Sequence, residues 1–301
     1  MNIAYLILAY HQPGHVARMI RRLDDGAARF FVHVDRKVDL EPFRRAIDSP
    51  RVAFAERRVE VNWGGWNMVQ ATLDLLAQAT AADVAFDYFQ LLSDSCYPIR
   101  SNAQIRAKLA DRTKNYITIN HAVDASSPFL WWIREYHFPD FLKLRTFERH
   151  AAYHRLRKLV GRVAPRRPPQ GLRVYKGWQW WCLNAEAVRY VLEFVRTQPA
   201  FVRYFRHVRI PDEMFFHTIL AHSPFAASLE PGFGDSDLTG NHYIRWSSGR
   251  PATLDEDALP ALAATPACFA RKFSETASAR LIARLSDDPA IEEAKPAAAR
   301  G

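Results

Sequence analysis

Several short segments of this 301-residue chain carry side chains that are costly to place without a task. Pro211-Asp212-Glu213 precedes helical spacing at Phe215 and Ile219, so Asp212 suits a helix N-cap and Glu213 the first turn, where the dipole favours negative charge by about 0.3 to 1 kcal/mol. A glutamate there is structural by default. To serve as a general base it must be ionised yet still basic, and since the dipole depresses its pKa, partial burial has to offset that effect. Phe269-Ala270-Arg271-Lys272-Phe273 sets two adjacent cations between phenylalanines, an arrangement suited to a phosphate. His33-Val34-Asp35-Arg36-Lys37 puts a carboxylate beside two cations, either to cap a strand or to hydrogen-bond a nucleotide's base and ribose. Asn62-Trp63-Gly64-Gly65-Trp66 places two glycines between indoles, which either lets backbone approach a ligand closely or makes a turn before a helix. Lys176-Gly177-Trp178-Gln179-Trp180-Trp181 gathers three indoles around one amide; aromatic faces stack on sugars, whereas a packed core strand claims Trp181 at least. There is no GxGxxG and no Walker lysine pattern.

The elements that must position these groups show in the hydrophobic pattern. Residues 3–9 form a continuous apolar run, as expected of a strand buried on both faces of a parallel sheet. After a turn at 11–14, Val16, Met19, Ile20 and Leu23 have helical spacing, and residues 30–34 read as a second strand ending at Asp35, completing a βαβ unit. Ligands of open α/β sheets bind beyond such strand C-termini. A further helix is predicted at Val69, Leu73 and Leu76, with strands at 88–92 and 116–119. Past residue 120 the alternation ends, and Pro165, Pro168 and Pro169 argue against regular structure across 129–176, which wraps over the sheet. Val188, Val191, Leu192 and Val195 predict a helix behind an Asn184 N-cap; residues 278–285 predict a short one, and 290–301 a loose tail.

Composition narrows the classes. Apolar residues at 49% and charged residues at 24% exclude a disordered, collagen-like or low-complexity chain. No apolar run nears the roughly 18 residues of a bilayer span. The N-terminal run lacks a basic flank and a cleavage site, so the expectation is no signal peptide and a mature first strand. Cys96, Cys182 and Cys268 have neither zinc-knuckle nor disulfide-framework spacing, which fits a reducing cytoplasm. The net charge of +9 is concentrated in residues 134–176, which hold twelve basic and three acidic residues. Such a block is either a solvated basic loop or a contact for an anionic membrane or acidic acceptor; no nucleic-acid motif accompanies it, so nucleic acid is not expected.

Taken in order, Leu8-Ala9-Tyr10-His11, His33 to Lys37, Trp63-Gly64-Gly65 with Met68 to Leu73, Leu91 to Ile99, Pro211 to Thr218 and Phe269 to Phe273 resemble glycosyltransferase family 14, the core-2/I-branching β-1,6-N-acetylglucosaminyltransferases and peptide O-xylosyltransferases. The resemblance runs from about residue 3 to 273 and implies an α/β fold of GT-A type, with a Rossmann-like, mostly parallel central sheet flanked by helices and an acceptor-side elaboration. It divides the chain into a nucleotide-sugar-binding half, 1–120, an acceptor-side and catalytic half of the same domain, 121–273, and a partly disordered extension, 274–301. It implies an inverting enzyme with a UDP-sugar donor, no cofactor and no required metal. By position, Ala9 and Asp35 meet the uridine, Asn62, Trp63 and Gly64 line the donor pocket, Arg271 and Lys272 hold the diphosphate, and Glu213 is the base. Arg250 adds a phosphate contact in competition with Arg245; Gln179, Trp180 and Asp212 fall on the acceptor side. Trp178 stands where relatives carry a small residue.

In that chemistry an acceptor hydroxyl attacks the anomeric carbon, Glu213 takes its proton, and charge grows on the departing phosphate. Where metal-using GT-A enzymes present Asp-x-Asp, this chain reads Ser93-Asp94-Ser95, so the central expectation is that Arg271 and Lys272 replace the ion. Asp235-Ser236-Asp237 and Asp255-Glu256-Asp257 retain the literal spacing in late, turn-like sequence. The donor stays open among UDP-xylose, UDP-N-acetylglucosamine and UDP-glucuronate, with a glycan, lipid-linked or polysaccharide acceptor. A cytoplasmic place, peripheral at the inner membrane face, is the corresponding expectation. The competing classes are a non-catalytic carbohydrate-binding protein, which binds sugar without UDP, and a metal-dependent nucleotide-sugar hydrolase, which requires manganese.

Overall fold

A strand with no polar face must be covered on both sides, and in the computed structural model every residue of β1 (Ile3–Ala9) is buried. Residues 1–140, 151–229 and 237–287 are described. β2 (Arg29–Val34) and β4 (Tyr88–Ser93) pair with β1 on either side, and β3 (Val52–Phe54) adds to β2, all in parallel. Helices α1 (Pro13–Leu23), α2 (Glu41–Ala46) and α3 (Trp66–Thr80) flank this half. α1 turns its predicted stripe of Val16, Met19, Ile20 and Leu23 into the core.

Two later strands, β6 (Tyr116–Val123) and β7 (Val174–Asn184), complete the same sheet in the order β3-β2-β1-β4-β7-β6, so both halves of the chain build it. β7 runs antiparallel to β4 and to β6, which makes the sheet mixed. Because Tyr88 faces Asn184 and Gln90 faces Cys182, the early residues of β7 reach the C-terminal end of β4, the edge where ligands bind. β7 also bulges: Ile117 faces Trp181 while Ile119 faces Gly177. The run Trp178-Gln179-Trp180 therefore leaves the regular alternation, and a bulge of this kind re-aims side chains. Trp181 follows the core reading, fully buried against Phe216 at 5.2 Å between ring centres, and Trp180 is buried as well.

Gly177 is where the chain tolerates no side chain. A Cβ there would lie 1.9 Å from the Thr118 carbonyl oxygen and 2.6 Å from the His217 ring. Gly177→Ala is expected to cost about 3 kcal/mol of stability, because the obstructing atoms belong to a neighbouring strand and a buried ring. A denaturation midpoint unchanged from the parent would refute that packing.

A second sheet carries the late cations inward. β5 (Cys96–Pro98) pairs with β12 (Phe269–Arg271), which lies beside β9 (His242–Ile244) and then β8 (Leu238–Thr239); β10 (Trp246–Ser247) and β11 (Arg250–Pro251) form a separate hairpin. Arg271 is thereby set opposite Cys96, two residues past Asp94.

Several expectations change. Regular structure does occur within 129–176, as helices Leu130–Arg134 and Ala151–Val163. The prolines follow the second helix, so they end it and do not prevent it. Residues 141–150 of the basic block lie outside the described residues. Pro211–Glu213 is a single 3₁₀ turn, and the α-helix Phe215–Ala221 begins only after Met214, so Asp212 is not its N-cap. Asn184 does cap the helix Ala185–Thr197, its side chain accepting from the Ala187 N–H at 2.9 Å. Helix Ala279–Asp287 buries Leu281, Ile282 and Leu285, which joins the start of the extension to the core; the predicted tail, 290–301, lies outside the described residues.

Candidate active site

The carboxylate at the end of β4 is already engaged. Asp94 is buried, and its Oδ2 accepts from the N–H groups of Tyr10 (2.7 Å) and His11 (3.0 Å) while lying 3.0 Å from His11 Nδ1. The pair with Asp94 raises the His11 pKa. Gln12 extends the same loop, its Nε2 donating to the Asp94 and Phe273 carbonyls and its Oε1 accepting from the Glu275 N–H at 2.6 Å. Phe273 N–H donates to Ser95 O at 2.8 Å. These bonds fix the loop after Ala9 to the segment that holds Arg271 and Lys272, beside Asp94.

On the β2 side, Asp35 turns back on its own loop: its Oδ1 accepts from Lys37 N–H at 2.9 Å and its Oδ2 lies 3.5 Å from Lys37 Nζ. Lys37 Nζ donates to Val61 O at 2.5 Å and Asn62 Oδ1 at 3.3 Å. The capping reading of Asp35 is thus realised, and Lys37 ties this loop to the Asn62 segment. Gly64, at φ 73°, donates no side chain to the loop but offers its carbonyl to Ile210 N–H at 3.0 Å. The glycine loop is in this way bonded to the residue that opens the Pro211–Glu213 turn, and Trp63 beside it is 51% exposed.

Glu213 meets a partner that the sequence did not single out for a role. Its Oε2 lies 2.8 Å from Lys176 Nζ, with side chains only 17% and 5% exposed respectively. The ammonium sits 4.7 Å from the ring centres of Phe129 and Trp178 and 5.6 Å from that of Trp132, three faces whose negative quadrupoles favour a cation. Burial raises the Glu213 pKa and Lys176 pulls it part of the way back, which leaves the carboxyl group more basic than one in water. Asp212, buried beside it, is pushed up to about 7 by burial and by the neighbouring charge of Glu213. His217 is no rival base, since burial drives its pKa down to about 3. A lysine inside an otherwise apolar strand was the available signal, because such a charge is rarely buried unpaired.

Lys176→Met removes the cation that keeps Glu213 ionised, so burial acts unopposed and the carboxyl pKa rises. The acid limb of the kcat/KM profile, below which the base is protonated, is then expected to move to higher pH. A limb that stays in place would detach Lys176 from Glu213. Loss of one partner from this buried pair is also expected to cost about 3 to 5 kcal/mol of stability, measurable by denaturant unfolding.

At the other end of the bulge, the Arg271 guanidinium lies 4.2 Å from the Trp180 ring centre. Trp180 is only 3% exposed and meets Arg271, not the aromatic group around Lys176, whereas Gln179 is half-buried. Trp178 stacks on Trp246 of the hairpin at 4.6 Å. Arg250 is exposed on that hairpin, and Ala252, two residues on, accepts from Lys272 N–H at 3.3 Å. Its competitor Arg245 donates to Thr253 O and pairs with Asp255 at 3.2 Å. Asp255 is thus occupied, Glu256 lies 3.8 Å from Arg280, and Asp235 and Ser236 lie outside the described residues. Among the described residues no three His, Cys, Asp or Glu side chains gather as metal ligands.

The architecture is an α/β domain whose polar groups collect at the C-terminal edge of the parallel part of a mixed six-stranded sheet. A family model described as Core-2/I-Branching enzyme matches residues 3–263, and the chain belongs to that family. Xylosyltransferase 2 of Canis lupus familiaris is 26% identical over 312 residues, covering 94% of this chain and 33% of that protein. Its Bos taurus counterpart is 27% identical over 315 residues, with 95% and 33% covered. The chain spans about a third of the length of these curated relatives. Mouse xyloside xylosyltransferase 1, solved in its apo form, is 12% identical, with 89% of this chain and 97% of that one covered at a TM-score of 0.35.

Proposed function

We propose that this chain transfers a sugar from a UDP-sugar to an acceptor hydroxyl, with inversion and without a required metal, in glycan or surface-polysaccharide synthesis. The observation that carries this reading is the Glu213–Lys176 pair, a carboxyl group held 2.8 Å from a buried ammonium on a turn that Ile210 bonds to the glycine loop. The acceptor oxygen attacks the anomeric carbon as Glu213 takes its proton. The bond from that carbon to the β-phosphate oxygen breaks, and the electron pair leaves with UDP. Arg271 and Lys272 receive the charge that grows on the phosphate, with Trp180 supporting the guanidinium from below. Ala9, Asn62, Trp63 and Gly64 line the donor side; Asp35 acts from the loop it ties to Asn62.

The donor is UDP-xylose, UDP-N-acetylglucosamine or UDP-glucuronate, and a panel of these three distinguishes them. The cognate donor is expected to raise the thermal midpoint more than UDP alone and to release UDP slowly by hydrolysis. No response to any UDP compound would overturn the reading in favour of a sugar-binding protein. No described helix is long and apolar enough to cross a membrane.

A further inference from the structure

We propose that the outward face of helix Ala151–Val163 docks on an anionic lipid surface and that the acceptor hydroxyl is carried by a lipid. The contact depends on the helix alone; that it delivers the acceptor rests on the transferase reading.

On the inner face of this helix Arg157 and Gly161 pack against the segment that holds Trp131 and Glu135. Arg157 pairs with Glu135 at 2.9 Å and stacks 4.3 Å from the Trp131 ring centre. Gly161 packs so closely on Glu135 that a Cβ would lie 3.0 Å from its Cγ. Just beyond the helix, the buried Arg166 donates to the carbonyls of Glu135 (3.1 Å) and His207 (2.8 Å), which holds the helix end in place.

The outer face is the opposite. Arg155, Lys158, Leu159, Arg162 and Val163 fall at i, i+3, i+4, i+7 and i+8, one stripe of a helix, and every one of them is exposed. Leu159 is 58% and Val163 78% exposed, with Val160 at the stripe's edge at 36%. The cations lie along one flank of the stripe and the apolar side chains along the other. No Asp or Glu occurs between Glu148 and Glu186, so nothing in this stretch neutralises the flank.

A solvated surface accounts for the cations and not for an exposed leucine and valine beside them. A nucleic-acid backbone would likewise leave Leu159 and Val163 unexplained. An anionic bilayer uses both halves, headgroup phosphates meeting Arg155, Lys158 and Arg162 while the aliphatic side chains enter the headgroup–acyl boundary. Trp131, beneath Arg157, adjoins Trp132, whose ring walls the Lys176 ammonium. A helix of one short turn, Leu130–Arg134, therefore separates the docking face from the Glu213–Lys176 pair.

The test is co-sedimentation of the full chain with phosphatidylcholine vesicles and with vesicles containing about one third phosphatidylglycerol. Binding is expected only to the anionic vesicles. The triple variant Arg155→Ala, Lys158→Ala, Arg162→Ala is expected to bind roughly a hundredfold more weakly, and Leu159→Ser with Val163→Ser about tenfold more weakly. UDP binding by calorimetry should be the same in both variants, since every substituted side chain is exposed. Failure of the parent chain to bind anionic vesicles, or equal binding by both variants, overturns the docking face. If the vesicles bind and UDP does not, the fault lies with the transferase reading instead.

Discussion

Glu213→Gln is expected to lower kcat by about a hundredfold to ten-thousandfold while UDP affinity stays nearly constant. The amide keeps the size and most of the packing of the carboxylate, so the Pro211–Glu213 turn and its bond to Gly64 persist. What is lost is the basicity that lets the carboxylate take the acceptor's proton, together with the charge that Lys176 balances. Single-turnover measurement separates the two effects, because an unpaired Lys176 alters stability whereas loss of the base slows the chemical step. Turnover equal to the parent's would remove Glu213 as base.

Lys272→Ala has the second largest expected effect, a loss of about 2 to 4 kcal/mol in transition-state stabilisation, seen mainly in kcat. The departing phosphate gains charge only as the glycosidic bond breaks, so a cation aimed there contributes more to the transition state than to donor binding. β12, inserted between β5 and β9, and the Phe273 N–H bond to Ser95 O set Arg271 and Lys272 beside the Asp94 loop, which is the basis of this expectation. The expected readout is a kcat decrease with a smaller change in KM; full activity in the variant would refute the assignment.

The parallel half of the fold was legible because Ile3 to Ala9 has no polar face and α1 a clear apolar stripe, patterns that admit one solution each. The Asn184 cap was legible for the same local reason. The Asp212 cap was not: Pro211 follows Ile210 at φ 47°, and the resulting 3₁₀ turn delays the helix beyond Met214. A residue's spacing to later apolar positions does not reveal such a turn. Lys176 was visible as a residue and invisible as a partner, because its pairing with Glu213 depends on the reversed direction of β7 and on the bulge after Gly177. The aromatic walls from Phe129, Trp132 and Trp178 were hidden in the same way, since they come from separate elements across a stretch whose prolines read as irregular. Asp94 was recognisable as the survivor of a metal-binding pattern, but its use by Tyr10 and His11 emerges only from the three-dimensional loop.

The most direct test of the whole account is the initial rate of UDP release in the presence of excess EDTA, followed by re-addition of manganese. If Arg271 and Lys272 serve as the leaving group's counter-charge, the rate with chelator equals the rate without it and manganese adds nothing. A rate abolished by EDTA and restored by manganese would contradict the account.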